Sequence, residues 1–359
     1  MPERREVQSC CAAYPHKIDT HWLRNNPGEL FNIPILKQER LDMLQDVPVE
    51  SCAASCWIPE NTGKISRRIL FDSVKKTHTS IDSVPETIQI NLGSDCNLTC
   101  VYCTKQYSTA WLRDIFQNGP YLDEERYRIN TNDRILLKLG QKKIDDTESY
   151  NLIVDEIAKY TNCKEVFVTG GEPFLNNNLV KILNKFQQKV KVYTGLGVST
   201  ERLEKILLDI TPNVEFVVSA ENINKHYEFV RYKNSFEQFE RNLKILSENR
   251  KISFNSVISN LTIFNFAEFE NYYKEKEIEL VFCSEPDYLS INLLDDESKQ
   301  MLQATKFVNR DEYIKHMLQQ PYTPEQKITL IKFLKEYVSR RNLDTSIFPR
   351  HFVDWLNTP

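Results

Sequence analysis

The stretch TIQINLGSDCNLTCVYC, residues 87–103, runs a short β-prone segment through one glycine into three cysteines spaced C-x3-C-x2-C. The alternation of Ile88, Ile90 and Leu92 with polar residues fits a half-buried strand, and Gly93 fits the turn at its end. Three thiols in eight residues fall where that strand stops. Five of the nine glycines, Gly93, Gly170, Gly171, Gly195 and Gly197, follow such strand-like runs. A chain that uses about a third of the average glycine content places it where backbone must approach something closely.

Outward from residue 87, short apolar runs alternate with amphipathic ones. TIQINL (87–92), EVFVT (165–169), VKVYT (190–194), VEFVVS (214–219), KISFNSVI (251–258) and ELVFC (279–283) read as strands. Between them 179–189, 201–210, 235–250 and 266–278 read as helices. The third carries apolar residues at 236, 239, 243 and 246, one helix face. Six β/α alternations predict a parallel sheet with right-handed crossovers, doubly wound or an incomplete barrel, with ligands at the C-terminal strand ends. The cysteine triad, Gly170–Gly171 and Gly195–Gly197 all fall there. Residues 104–150 form an insertion between the first two strands, and 295–359 read as helical and charged. Residues 1–84 show little periodicity.

Composition narrows the function. The 359-residue chain is 41% hydrophobic and 27% charged with a net charge of −4, ordinary for a globular protein and unlike a basic nucleic-acid binder. No apolar run reaches membrane-helix length, and the N-terminus lacks the apolar stretch of a signal peptide. These features predict a cytoplasmic protein with reduced thiols, where clustered cysteines serve metals or chemistry. Seven of the nine cysteines precede residue 104. Three thiolates from one loop can hold three irons of a [4Fe–4S] cube and leave the fourth open to a ligand. The residues alone also admit a zinc site completed by a histidine, although none lies between 79 and 225.

Cys96-x3-Cys100-x2-Cys103 after the first strand, with the aromatic Tyr102 before the last cysteine, resembles the signature of radical S-adenosylmethionine (SAM) enzymes. So does VFVTGGEPF, where Gly170, Gly171, Glu172 and Pro173 follow the second strand. The resemblance covers roughly residues 85–290 and implies a partial (β/α)6 TIM-like barrel. It implies a [4Fe–4S] cluster on Cys96, Cys100 and Cys103, SAM on the open iron, and Glu172 offering its carboxylate to the SAM ammonium. Tyr102 and Thr194 join the cofactor side. Ser219 would contact the SAM ribose, Arg231 would lie near its carboxylate, and Asn255 with Val257 would face the cofactor. Thr194-Gly195-Leu196-Gly197 and Ser219-Ala220-Glu221-Asn222 depart from the family's Thr-Asn-Gly and Ser-Leu-Asp-Gly. The implied chemistry is reductive cleavage of SAM to methionine and a 5′-deoxyadenosyl radical, which abstracts hydrogen from a substrate.

The cysteines at 10, 11, 52 and 56 make a second set. SCCAAYP and VPVESCAASCW resemble the auxiliary-cluster segment of the SPASM/twitch group, placed here before the core and with a C-x3-C hook. The resemblance implies an auxiliary [4Fe–4S] cluster on Cys10, Cys11, Cys52 and Cys56. A structural zinc site stays open, as does replacement of one adjacent cysteine by His16 or His21. The implied organisation is residues 1–84 as auxiliary segment, 85–290 as core with the insertion 104–150, and 291–359 as a C-terminal helical extension. Cys283, at the last strand end, is a candidate hydrogen donor, with Glu285 and Asp287 as proton acceptors. Cys163 is expected to pack, and Tyr107 and Trp111 to line the pocket or pack the insertion. The implied partners are a flavodoxin or ferredoxin as electron donor and a peptide, protein or small-molecule substrate. The competing class is a non-catalytic iron–sulfur or zinc scaffold or redox sensor.

Overall fold

Six parallel strands form one curled sheet in sequence order: β1 (Thr87–Asn91), β2 (Glu165–Thr169), β3 (Val190–Thr194), β4 (Val214–Ser219), β5 (Ile252–Ile258) and β6 (Ile278–Phe282). The computed structural model describes residues 1–63, 66, 68–69, 81–139 and 147–358. The expected insertion at 140–146, and the expected auxiliary segment at 64–65, 67 and 70–80, therefore lie outside the described residues. Strand order that never skips a neighbour is what successive right-handed crossovers produce, and it curls the sheet into a partial TIM-like barrel. Helices follow the strands, and four more, Asp296–Ala304, Asp311–Leu318, Pro324–Arg341 and Arg350–Leu356, make up the C-terminal part. Among the described residues no helix is long and apolar enough to cross a membrane.

The chain divides into two compact units. One comprises Met1–Gly93, Lys142–Phe167 and Lys181–Val190. In it the N-terminal segment is fixed to the helix Thr147–Ala158 and the turn behind it. Glu156 Oε2 accepts from Gly28 N at 2.5 Å, and Tyr160 Oη accepts from Phe31 N at 2.7 Å while donating to Gly28 O. The other unit comprises Ser94–Gln141, Val168–Val180 and Lys191–Pro359.

Strand β5 shows how the sheet sorts its side chains. Ile252, Phe254, Ser256 and Ile258 are buried, and Phe254 packs on Phe269 and Tyr273 of the following helical segment at 5.2 and 4.7 Å. Period-two alternation sends Ser253, Asn255 and Val257 to the opposite face, away from that helix. Register then aligns Ser219 of β4 with Asn255, and Asn255 with Glu279 of β6. The helices start on their own caps. Ser199 Oγ accepts from Arg202 N, Ser235 Oγ from Gln238 N, and Thr323 with Gln326 closes a capping box before the longest helix.

Candidate active site

The loop carrying the triad is held by its surroundings at almost every residue. Ser108 Oγ donates to Leu98 O at 2.6 Å, Thr109 Oγ1 donates to Cys96 O at 3.1 Å, and Trp111 Nε1 donates to Cys100 O at 2.9 Å. From the other side Thr99 N and Val101 N donate to Tyr232 O and Val230 O. Tyr337 Oη, from the C-terminal helix Pro324–Arg341, donates to Thr99 O and Phe229 O, and Arg341 Nε donates to Thr99 Oγ1. Trp111 is fully buried and therefore packs the insertion, whereas Tyr107 is exposed. A loop fixed in this way presents its side chains without having to order them on binding.

The thiols fit iron. Cys96 and Cys100 are buried and Cys103 is half-buried. Burial pushes all three thiols up, Cys96 strongly and Cys100 to about 12, with Arg231 acting against the shift at Cys100 and Cys103. Cationic iron supplies the charge that would make such thiols thiolates. Among the described residues no three His, Cys, Asp or Glu side chains close on a single metal ion. A cube instead takes one ligand per iron at separate corners.

The Gly-Gly-Glu turn packs directly on this loop. A Cβ on Gly171 would stand 2.3 Å from Asp95 O and 2.6 Å from Asp95 C, so only glycine fits. Glu172 N donates to Asp95 O at 2.5 Å. The Glu172 side chain is buried and turns towards the end of β3. Oε1 accepts from Thr194 Oγ1 at 2.7 Å and Phe174 N at 3.2 Å, and Oε2 accepts from Gly195 N at 2.9 Å. Burial raises its pKa against these bonds. The carboxylate thus holds together the turns after β2 and β3, and Pro173 opens the short turn Pro173–Leu175 beside it.

The departure Thr194-Gly195-Leu196-Gly197 has a structural account. Leu196 is fully buried at a left-handed φ of 54°, a costly conformation for a branched side chain. Thr194 Oγ1 accepts from Leu196 N at 2.9 Å, and Asn242 Nδ2 donates to Leu196 O and Val198 O. Thr194→Val keeps the shape but leaves a carboxylate oxygen and a backbone N–H short of a partner. The expected cost is about 1–3 kcal/mol, measured by urea unfolding; a loss within error would mean the turn is held without that hydroxyl.

Arg231 and Glu221 form a buried pair at 2.8 Å, and Tyr102 Oη donates to the other Glu221 oxygen at 3.0 Å. Arg231 Nη1 stands 3.9 Å from Cys100 Sγ, and its buried Nε has no hydrogen-bond partner. Burial works against its charge, yet Glu221, Tyr102 and Cys100 together hold it firmly protonated. Ser219 and Asn255 are half-buried partners across β4 and β5. The structure therefore gathers Tyr102, Glu172, Thr194 and Arg231 about the triad loop. Sequence reading missed Glu221, Tyr337 and Arg341.

Cys283 is buried with its thiol pushed up to about 11 by burial, and Sγ points to Glu285 O at 3.7 Å. Glu285 and Asp287 are exposed, and Asp287 accepts from Gln326. Arg126 of the insertion reaches both Cys103 and Cys283 electrostatically, and its buried Nε has no partner.

In the other unit, Cys52 and Cys56 are buried with Ala13 and Val49, and the half-buried Trp57 packs against them. Cys10 and Cys11 are exposed. Ser55 Oγ donates to Ala12 O and Tyr14 N to Ser51 O, which ties the two cysteine-bearing stretches together. Cys10, Glu39 and Cys56 all act electrostatically on Cys52, whose pKa burial raises. His16 is engaged by Glu39 at 2.6 Å, while His21 is exposed beside Asn25. None of the nine cysteines forms a disulfide, and Cys163 is buried as expected of a packing residue.

No curated protein matches the chain. Among solved structures, one described as native anSMEcpe with bound AdoMet and Kp18Cys peptide is 14% identical with a TM-score of 0.36, over 71% of this chain and 59% of that one. Another, Streptococcus suis SuiB bound to S-adenosylmethionine, is 13% identical with a TM-score of 0.37, over 92% and 66%. The chain thus covers less than two thirds of either. The family described as the radical SAM superfamily matches residues 90–275, more than half of the sequence and the stretch that holds the triad, the Gly-Gly-Glu turn and the Arg231–Glu221 pair. The chain belongs to the radical SAM superfamily.

Proposed function

We propose that the protein is an enzyme that holds a [4Fe–4S] cluster on Cys96, Cys100 and Cys103, binds SAM beside it, and abstracts hydrogen from a peptide or protein side chain or a small metabolite. The observation that carries this reading is the triad loop itself: three thiols, two buried and one half-buried, on a backbone bonded from both flanks, in contact with the Gly-Gly-Glu turn. When bound, the cluster and SAM supply one-electron cleavage of the sulfonium C–S bond. The protein's part is positioning and exclusion. Gly171 lets the turn backbone lie against the loop, Glu172 and Thr194 fix the end of β3, and Ser219 and Asn255 line the adjacent strand ends where a ribose would be received. Arg231 sets a fixed positive charge beside Cys100, where it would meet the SAM carboxylate.

The second cysteine set supports an auxiliary [4Fe–4S] cluster on Cys10, Cys11, Cys52 and Cys56, or with His16 or His21 in place of one of the adjacent pair, which would accept an electron from a product radical or ligate substrate. Cys283 is read as a hydrogen donor and Glu285 as a proton acceptor at the end of β6. The reducing electron would come from a flavodoxin or ferredoxin, in a cytoplasm that keeps the thiols reduced.

The test is chemical. Anaerobically reconstituted protein with SAM and dithionite is expected to release 5′-deoxyadenosine and methionine. Protein that binds iron but yields neither under those conditions would be a non-catalytic iron–sulfur scaffold or sensor.

A further inference from the structure

The helix Pro34–Leu44 buries only Leu36 and Glu39, at i and i+3 on its inward face. A carboxylate in that place is unusual, because a buried charge is costly unless every oxygen is engaged. Glu39 is 5% exposed. Both of its partners converge on one oxygen: Oε1 takes His16 Nε2 at 2.6 Å and the Ser51 hydroxyl. Oε2 is fully buried and accepts nothing. The same Ser51 hydroxyl lies 3.8 Å from Cys52 Sγ, and Cys52 is the thiol on which Cys10, Glu39 and Cys56 all act. Three thiols and one half-satisfied carboxylate are thus gathered in one small unit, on elements joined by the bonds from Ser55 to Ala12 and from Tyr14 to Ser51.

We propose that Glu39 is the fourth ligand of the auxiliary cluster, with Cys10, Cys52 and Cys56 as the other three and Cys11 outside the ligand set. The inference rests on the reading of the N-terminal cysteines as cluster ligands. The arrangement meets two requirements at once. Adjacent Cys10 and Cys11 need not both reach one cube, and the orphaned Oε2 gains the cation its burial demands. His16 and Ser51 then act as the outer partners that fix a ligating carboxylate, the role hydrogen-bond partners commonly fill around metals. A hard oxygen at one corner makes that iron the least tightly held of the four, because iron–sulfur clusters are otherwise bound by thiolate.

The experiment uses the full chain, anaerobically reconstituted, with iron and labile sulfide measured and electron paramagnetic resonance recorded after mild oxidation. Cys52→Ala should lose about four of about eight irons. Cys11→Ser should keep all of them. Glu39→Gln should lose about one iron and show a three-iron cluster signal absent from the wild type, while the irons held by Cys96, Cys100 and Cys103 report an intact fold. His16→Phe removes the hydrogen bond to Oε1 without touching the ligand and should keep the full count. Iron and spectrum unchanged in Glu39→Gln would overturn the proposal. So would equal losses in Glu39→Gln and His16→Phe, which would make Glu39 a packing group. Loss of iron in Cys11→Ser would return that cysteine to the ligand set and overturn it as well. A full iron count in Cys52→Ala would instead remove the auxiliary cluster itself, and the proposal with it.

Discussion

Replacing Cys96, Cys100 and Cys103 together by alanine is expected to lower bound iron from about eight to about four per chain and to abolish 5′-deoxyadenosine formation. The fold should survive. The bonds that hold the loop come from Ser108, Thr109, Trp111, Tyr337 and backbone amides; the thiols themselves make only long contacts, Cys96 Sγ accepting from Leu98 N at 3.4 Å, Cys100 Sγ facing Arg231 Nη1 at 3.9 Å and Cys103 Sγ donating to Thr104 O at 3.8 Å. The variant therefore separates loss of ligands from loss of structure, which a Gly171 substitution would not. Iron falling from about four to none would leave a single cluster and remove the auxiliary site. Zinc in place of iron in the wild type would remove the radical reading altogether.

The parts of the fold that repeat with a period are legible in the sequence. Runs at 165–169, 190–194 and 214–219 became β2, β3 and β4 without a shift of end residue, because each has apolar alternation and a clear stop. Helix ends were harder. The run 266–278 stops being helical at Tyr272, where Tyr273 N bonds Phe269 O and the charged KEKE that follows turns towards β6. The helix Pro34–Leu44 leaves no such mark, because its buried face is two residues wide and one of them is Glu39.

The candidate site divides the same way. Cys96, Cys100, Cys103, Gly171 and Glu172 could be found because chemistry and close approach restrict residue type at fixed local spacing. Glu221, Tyr337 and Arg341 could not, since each meets the loop only through the tertiary fold. Tyr337 is 238 residues from the Thr99 carbonyl it binds. A tyrosine and an arginine one turn apart on a charged helix carry no mark of that contact. Glu172 shows a subtler limit. Its identity was readable, but not that its oxygens are engaged by Thr194, Phe174 and Gly195.

Arg231→Met is expected to destabilise the protein by about 3–5 kcal/mol, because it strands the Glu221 carboxylate with Tyr102 as its remaining partner. Adding Glu221→Leu should recover most of that loss, since a buried ion pair replaced by apolar groups of similar size is often close to neutral. Urea unfolding of the single and double variants, under anaerobic conditions, gives the coupling between the two side chains. The cycle also decides what the guanidinium is for. Its Nε is buried without a partner and its Nη1 faces Cys100, so the charge is not fully used by Glu221. If that surplus serves the SAM carboxylate, the double variant will be stable and retain its iron, yet bind SAM at least about tenfold more weakly by equilibrium dialysis, the loss of about 1.4 kcal/mol of a charged contact. Restored stability with wild-type SAM affinity would confine Arg231 to holding Glu221 and Tyr102 in place.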